Sequence, residues 1–140
     1  MKYDIIIIGS GPAGLFAAYE LSKKNKKILI IEKGSDIEKR KDILSGIGGS
    51  GLYSDGKLNL SPIHGKTNLY EFLTKKQANN LINYIDKIFM DFGAPKEYYP
   101  KNIKKVKKLQ KKAKKHGIGL LLIKQKHIGS DNRKFSHIRA

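Results

Sequence analysis

Near its N-terminus the chain runs Ile5-Ile6-Ile7-Ile8-Gly9-Ser10-Gly11-Pro12-Ala13-Gly14-Leu15. Four consecutive isoleucines without alternation suit a strand buried on both faces, as in a parallel sheet. Pro12 stands where a helix begins, a position at which its missing N–H has no intrahelical partner to lose. Leu15, Ala18, Tyr19 and Leu21 give that helix an apolar face, and Ser22 to Lys27 form its polar exit. A second run, Ile28-Leu29-Ile30-Ile31, ends at Glu32. Strand, glycine turn, helix and strand within about thirty residues make a βαβ unit. The fold class expected is therefore α/β, with a Rossmann-like cradle on a parallel sheet.

The turn itself fits the pattern G-x-G-x-x-G over Gly9, Ser10, Gly11, Pro12, Ala13 and Gly14. Gly9 permits the tight turn, Gly11 lets a pyrophosphate approach the backbone, and Gly14 lets the helix pack on the strand. The helix N-terminus adds free N–H groups and a partial positive charge for the anion. Six residues of this kind recur by accident, but here they follow a strand and open a helix. Glu32 lies 18 residues after Gly14, close to the spacing of the acid that grips a ribose hydroxyl. An acid at that place argues against a ribose phosphate, so FAD or NAD is favoured over NADP.

Residues 34–70 are less regular. Ile37 to Leu44 reads as a short helix with Asp36 as its N-cap. Gly46-Ile47-Gly48-Gly49-Ser50-Gly51 then has four glycines in six positions, too many for a regular element. Thr74 to Phe92 is the strongest helix, with Ala78, Leu81, Ile82, Ile85, Ile88, Phe89 and Phe92 forming one stripe. Gly93 and Pro95 stop it. A second helix spans Asn102 to His116 and ends at Gly117, and Leu120 to Ile123 reads as a strand. The expected division is a nucleotide-binding region with its glycine-rich loop over 1–66, and a helix- and lysine-rich segment over 67–140.

Composition sets the outer limits. One hundred and forty residues, 39% hydrophobic, build one modest domain with a core. The absence of cysteine excludes disulfides, thiolate metal sites and a Cys nucleophile. No apolar run reaches the ~18–20 residues of a membrane span. The apolar N-terminus is a poor secretory signal, since Asp4 fronts it and glycines and Pro12 break it, so a cytoplasmic location is expected. The net charge is +17, and it is lopsided: residues 71–140 carry 18 basic and 5 acidic side chains.

Asp4 before the strand, Gly9 to Leu15, and Glu32-Lys33-Gly34 together resemble the N-terminus of an FAD-dependent oxidoreductase of the glutathione-reductase-like flavoprotein class. The block Gly48-Gly49-Ser50-Gly51-Leu52-Tyr53-Ser54-Asp55-Gly56-Lys57-Leu58 is similar to one in a group of bacterial FAD-dependent dehydrogenases. Phe92-Gly93-Ala94-Pro95 and His127-Ile128-Gly129-Ser130-Asp131 resemble further landmarks of that group, in the same order. Members often carry cysteines between the second strand and the glycine block, and this chain has none.

The resemblance implies that residues 9–14 and Glu32 hold the FAD diphosphate and adenosine ribose. It also implies that Lys33 flanks the adenosine, that Arg40 reaches the diphosphate, and that Gly48, Gly49, Ser50 and Gly51 lie along the isoalloxazine. It further implies hydride transfer through FAD on an unidentified small-molecule substrate, with NAD(P)H as an electron partner of the full-length enzyme. Such enzymes are several hundred residues long, and a doubly wound fold uses about six strands. Three are legible here. The chain thus reads as an N-terminal piece, inactive alone, whose missing C-terminal part completes the sheet.

Two other readings stand beside this one. The chain is also readable as a piece of an NAD-binding dehydrogenase, although a simple NAD fold has no use for the Gly48–Gly51 block. Alternatively it is a basic polyanion-binding module with an empty cradle. Against the latter, no nucleic-acid module is visible and aromatics do not interleave the lysines, so no specific nucleic acid is expected. Lysine pairs around Ile103, Val106 and Leu109 are what a solvated amphipathic helix displays. His64, His116, His127 and His137 lack metal-ligand spacing, and no metal site is assigned. No residue is assigned a catalytic role.

Overall fold

The computed structural model describes residues 2–52 and 56–128. Tyr53, Ser54 and Asp55 of the glycine block, Gly129-Ser130-Asp131, and His137 lie outside the described residues. The described chain forms two compact units that meet in sequence at Gly56 and Lys57.

In the first unit β1 (Ile5–Ile8) and β2 (Ile28–Ile31) pair in parallel, joined by α1 (Pro12–Ser22). The register sets Ile5 opposite Ile28 and Ile8 opposite Ile31. Asp4 fastens the start of this pair in both directions. Its main-chain nitrogen donates to the Lys27 carbonyl and its carboxylate accepts from the Lys27 N–H, each at 2.9 Å. The βαβ expectation thus holds to the residue at both strands.

Two-sided burial does not hold. Ile5 and Ile7 are half-buried, whereas Ile6 is 59% exposed and Ile8 87%. Alpha-helix α1 packs on the Ile7 side, because a methyl group on Gly14 would lie 3.3 Å from Ile7 Cγ2. Among the described residues, a two-stranded sheet with one helix covers one face and leaves Ile6 and Ile8 exposed.

The helix expected over Ile37 to Leu44 shrinks to a 3-10 turn, Ile37–Lys39, with Asp36 accepting from the Ile37 N–H. Arg40 then leaves the turn in extended conformation and is buried, which ends the helical path. Four glycines in six positions argue against a regular element, yet Gly49–Leu52 forms a single helical turn, α2. Gly46 and Gly48, at φ +124° and +84°, place it there through torsions that only glycine adopts readily.

The second unit contains two antiparallel ladders absent from the sequence reading. Strands β3 (Lys57–Leu60), β4 (Ile63–His64) and β5 (Thr67–Asn68) are followed by α3 (Lys75–Asp91), α4 (Ile103–Lys115) and β6 (Lys124–His127). Strands β4 and β5 form one hairpin, and β3 pairs with β6, Leu58 opposite Lys126.

Helix α3 begins with a capping box in which Thr74 and Gln77 satisfy one another's main-chain N–H groups. Gly93 at φ +93° closes it, with the Ala94 N–H returning to the Phe89 carbonyl. Of its stripe, Ala78 and Ile88 are buried, but Leu81 and Phe92 remain about 40% exposed at the edges. The strand expected over Leu120 to Ile123 lies four residues later. Lys57–Leu60 offers its ladder to residues 124–127, and among the described residues the apolar run before them has no strand partner.

Candidate functional site

The Gly9–Gly14 turn is built from three different glycine requirements. Gly9 donates its N–H to the Ile31 carbonyl at 2.7 Å and turns at φ +93°, so the chain leaves β1 sharply while still tied to β2. At Gly14 an added Cβ would sit 2.0 Å from the Gly9 carbonyl oxygen, a contact that leaves no room for any side chain. Gly11 differs. Its φ of −71° and ψ of −179° suit any residue, and an added Cβ would meet no protein atom within 4 Å. Neither torsion nor packing within the protein calls for glycine at 11. That side of the turn is open space.

Pro12 and Ala13 open α1, and no side chain caps it. Among the described residues, its N-terminal partial charge thus carries no side-chain hydrogen bond at the cap.

Glu32, just beyond β2, closes the turn from the other side. One carboxylate oxygen accepts from both the main-chain N–H and the hydroxyl of Ser10, each at 2.8 Å. The other accepts from the Gly34 N–H at 2.9 Å. These bonds, led by the Ser10 main-chain N–H, hold the carboxyl down at about 2 from an ordinary 4.5. Glu32 is thus a carboxylate at neutral pH. The Gly46 main-chain N–H contributes a further, weaker bond, so the carboxylate gathers Ser10, Gly34 and Gly46 around it.

The glycine loop lies against the same turn. The Gly48 N–H donates to the Ser10 carbonyl at 2.9 Å. An added Cβ at Gly49 would come 3.2 Å from Pro12 Cδ and 3.3 Å from Gly11 Cα. Arg40 sets this loop. Buried at 4% exposure, its guanidinium donates to the carbonyls of Asp42, Ile43, Ile47 and Gly49 at 2.6–2.9 Å. In this structure Arg40 acts as a strut beneath the loop.

Gly9 through Gly14, Glu32, Arg40, Gly48 and Gly49 therefore converge. Lys33 is exposed beside Glu32, and Ser50 and Gly51 are exposed on α2, with open space beside Gly51. The set fits a dinucleotide on the structure's own terms. It combines an open face at Gly11, a helix N-terminus without a side-chain cap, and an ionised carboxylate at the end of the neighbouring strand.

Two features escaped the sequence reading. Gly34 and Gly46 meet so closely that a Cβ on Gly34 would lie 2.3 Å from the Gly46 nitrogen. Two glycines twelve apart carry no local signal of that contact. In the second unit Lys126, fully buried, places its ammonium 2.6 Å from Asp86 Oδ1, while the Tyr98 hydroxyl donates to Asp86 Oδ2. Lys126 also lies 4.6 Å from the Tyr98 ring centroid. The available signal was an acid on the flank of the α3 stripe, four residues after Ile82.

Comparison with known proteins agrees with the turn geometry. Residues 7–38 match the model of an NAD(P)-binding Rossmann-like domain. An uncharacterized protein of Clostridium beijerinckii is 35% identical over 74 residues, 41% of this chain and 14% of that protein. A digeranylgeranylglycerophospholipid reductase of Methanosphaera stadtmanae is 52% identical over 46 residues, 33% of this chain and 12% of the relative. One from Methanococcus vannielii is 46% identical over 36 residues, 26% of this chain and 9% of that enzyme. The matches thus span about a tenth of the length of these relatives. No solved structure matches the chain. Among the described residues, no helix is long and apolar enough to cross a membrane. Within the first unit, residues 7–38 are thus similar to an NAD(P)-binding Rossmann-like domain, and the chain shares short stretches of sequence with known reductases.

Proposed function

We propose that this chain supplies the FAD-binding cradle of a flavin-dependent oxidoreductase. When bound, the flavin carries hydride between a donor and a small-molecule substrate; the protein binds and orients it. Residues 9–14 take the diphosphate at the N-terminus of α1, and Glu32 accepts from an adenosine ribose hydroxyl. Lys33 flanks the adenosine. Gly48 to Gly51 run beside the isoalloxazine, with Arg40 fixing their backbone. The chain up to Gly56 forms the cofactor region, and the unit from Lys57 begins a further region. NAD(P)H serves as electron partner in the whole protein.

The observation that carries this reading is the open side of Gly11, a glycine the protein's own packing does not require, placed next to an ionised Glu32. The second glycine loop against the same turn favours FAD over a plain NAD fold, which has no need of it. The name reductase on the similar proteins supports redox chemistry. Glu32 opposes a ribose phosphate by charge, so NADP is the disfavoured occupant of this cradle.

Isothermal titration of the purified chain with FAD and with NAD tests the proposal. FAD binds more tightly than NAD, Gly11→Val abolishes FAD binding, and Lys108→Ala leaves it unchanged. Equal losses in the two variants would sink the cradle assignment, and preference for NAD would transfer it to the dehydrogenase reading.

A further inference from the structure

From Lys101 to Ile128 the chain carries eleven lysines and no aspartate or glutamate. Helix α4 holds most of them, and among the described residues none of its lysines joins an ion pair. Lys107, Lys111 and Lys114, spaced by four and three, form one flank of the helix.

The segment after α4 folds back along that flank. Gly117 turns at φ +73°, the Ile118 N–H donates to the Ala113 carbonyl at 3.0 Å, and Gln110 Nε2 donates to the Leu120 carbonyl at 2.8 Å. The result is a groove of about 550 Å³ whose rim is lysine and whose far wall is Ile118 and Leu120. These aliphatic side chains are not core. Ile118 is 55% exposed, Leu120 43% and Leu121 60%.

We propose that this face docks on an anionic lipid bilayer. Aliphatic side chains bordered by lysines gain from both layers of such a surface: apolar groups enter the acyl boundary, and ammonium groups reach the phosphates on flexible stems. Charge complementarity selects an anionic partner, because no carboxylate lies anywhere in the segment. It also disfavours a second copy of the same face. A nucleic acid would use the lysines and leave Ile118, Leu120 and Leu121 idle. The segment moreover contains no arginine for phosphate forks and no Phe, Tyr or Trp for base stacking. The proposal stands independently of the nucleotide cradle.

Flotation with phosphatidylcholine vesicles, with and without phosphatidylglycerol, tests it on the whole chain. Binding is expected only with phosphatidylglycerol. Combined Ile118→Ser, Leu120→Ser and Leu121→Ser should weaken it about tenfold or more, without altering the far-UV spectrum or retention on duplex DNA. Combined Lys107→Gln, Lys111→Gln and Lys114→Gln should weaken both. The chain has no tryptophan, so Leu121→Trp gives an unmixed reporter. Its emission should shift to the blue with phosphatidylglycerol vesicles and stay in place with DNA. No binding to anionic vesicles, undiminished binding by the serine variant, or an unshifted tryptophan on bound vesicles would each overturn the proposal. Binding to DNA alone would assign the face to nucleic acid instead.

Discussion

A single oxygen of Glu32 accepts both the main-chain N–H and the hydroxyl of Ser10, each at 2.8 Å. This ties the end of β2 to the middle of the glycine turn across 22 residues of sequence. The opposite oxygen, bonded to the Gly34 N–H, extends the clamp to the stretch that meets Gly46. One carboxylate thereby organises the turn and the approach of the second glycine loop.

Acid should release that clamp. The carboxyl of Glu32 ionises at about 2 when folded against an ordinary 4.5, and a group whose folded value is depressed stabilises the fold above its unfolded value. The contribution is complete above about pH 4.5 and is lost as pH falls towards 2. Circular dichroism across this range should show wild type losing stability relative to neutral pH, while Glu32→Gln has a flatter profile because it lacks the titrating group. Parallel profiles would contradict the clamp.

The two glycines of the turn should fail in different ways. Gly14→Ala forces a methyl group against the Gly9 carbonyl, and urea unfolding should register a loss of about 1–3 kcal/mol. Gly11→Ala meets nothing and has permissive torsions, so its unfolding midpoint should stay within about 0.5 kcal/mol of wild type. A similar destabilisation in both would mean that Gly11 has a structural role.

Arg40 should tolerate no substitute, lysine included. Four main-chain carbonyls depend on a planar fork that an ammonium cannot reproduce. Arg40→Lys should speed hydrogen exchange at the Gly48 amide roughly tenfold or more, since the loop holding its Ser10 acceptor loosens. It should also weaken FAD binding without removing it, as expected of a residue that positions the loop. Unchanged exchange would show that the loop is held by other contacts.

Asp86 and Lys126 should be costly to separate and cheap to remove together. Asp86→Ala leaves a buried ammonium without its carboxylate and should cost about 3–5 kcal/mol by urea denaturation. The double replacement Asp86→Leu with Lys126→Met should recover most of that loss. The Tyr98 phenol, donating to Asp86, is held above its ordinary 10.0, so this bond stabilises the fold below that value and is lost as pH rises through the higher folded one. Ultraviolet titration should find that Asp86→Asn brings Tyr98 back towards 10.0. Independent losses in the double variant, or an unmoved Tyr98, would contradict the cluster.

The sequence by itself determined the βαβ unit and the capped helices. Their causes are local: the isoleucine runs, Pro12 at a helix start, the Thr74–Gln77 box, and Gly93 and Gly117 at helix ends each act within a few residues. The candidate residues from Gly9 to Gly14 and Glu32 were legible for the same reason, because a short crossover fixes where its two strands end.

Only the tertiary structure decided what depends on distant pairing. It drew the 3-10 turn short so that Arg40 could enter the loop, and moved the last strand to Lys124–His127 because Lys57–Leu60 offers its ladder there. It buried a lysine that composition assigns to solvent, against an aspartate forty residues away. Among the described residues it also left Ile6 and Ile8 exposed, since burial on both faces needs a second covering layer beside α1. Local propensity sets which elements form. Which side chains they cover is set by the elements that meet them, and that information is spread along the chain.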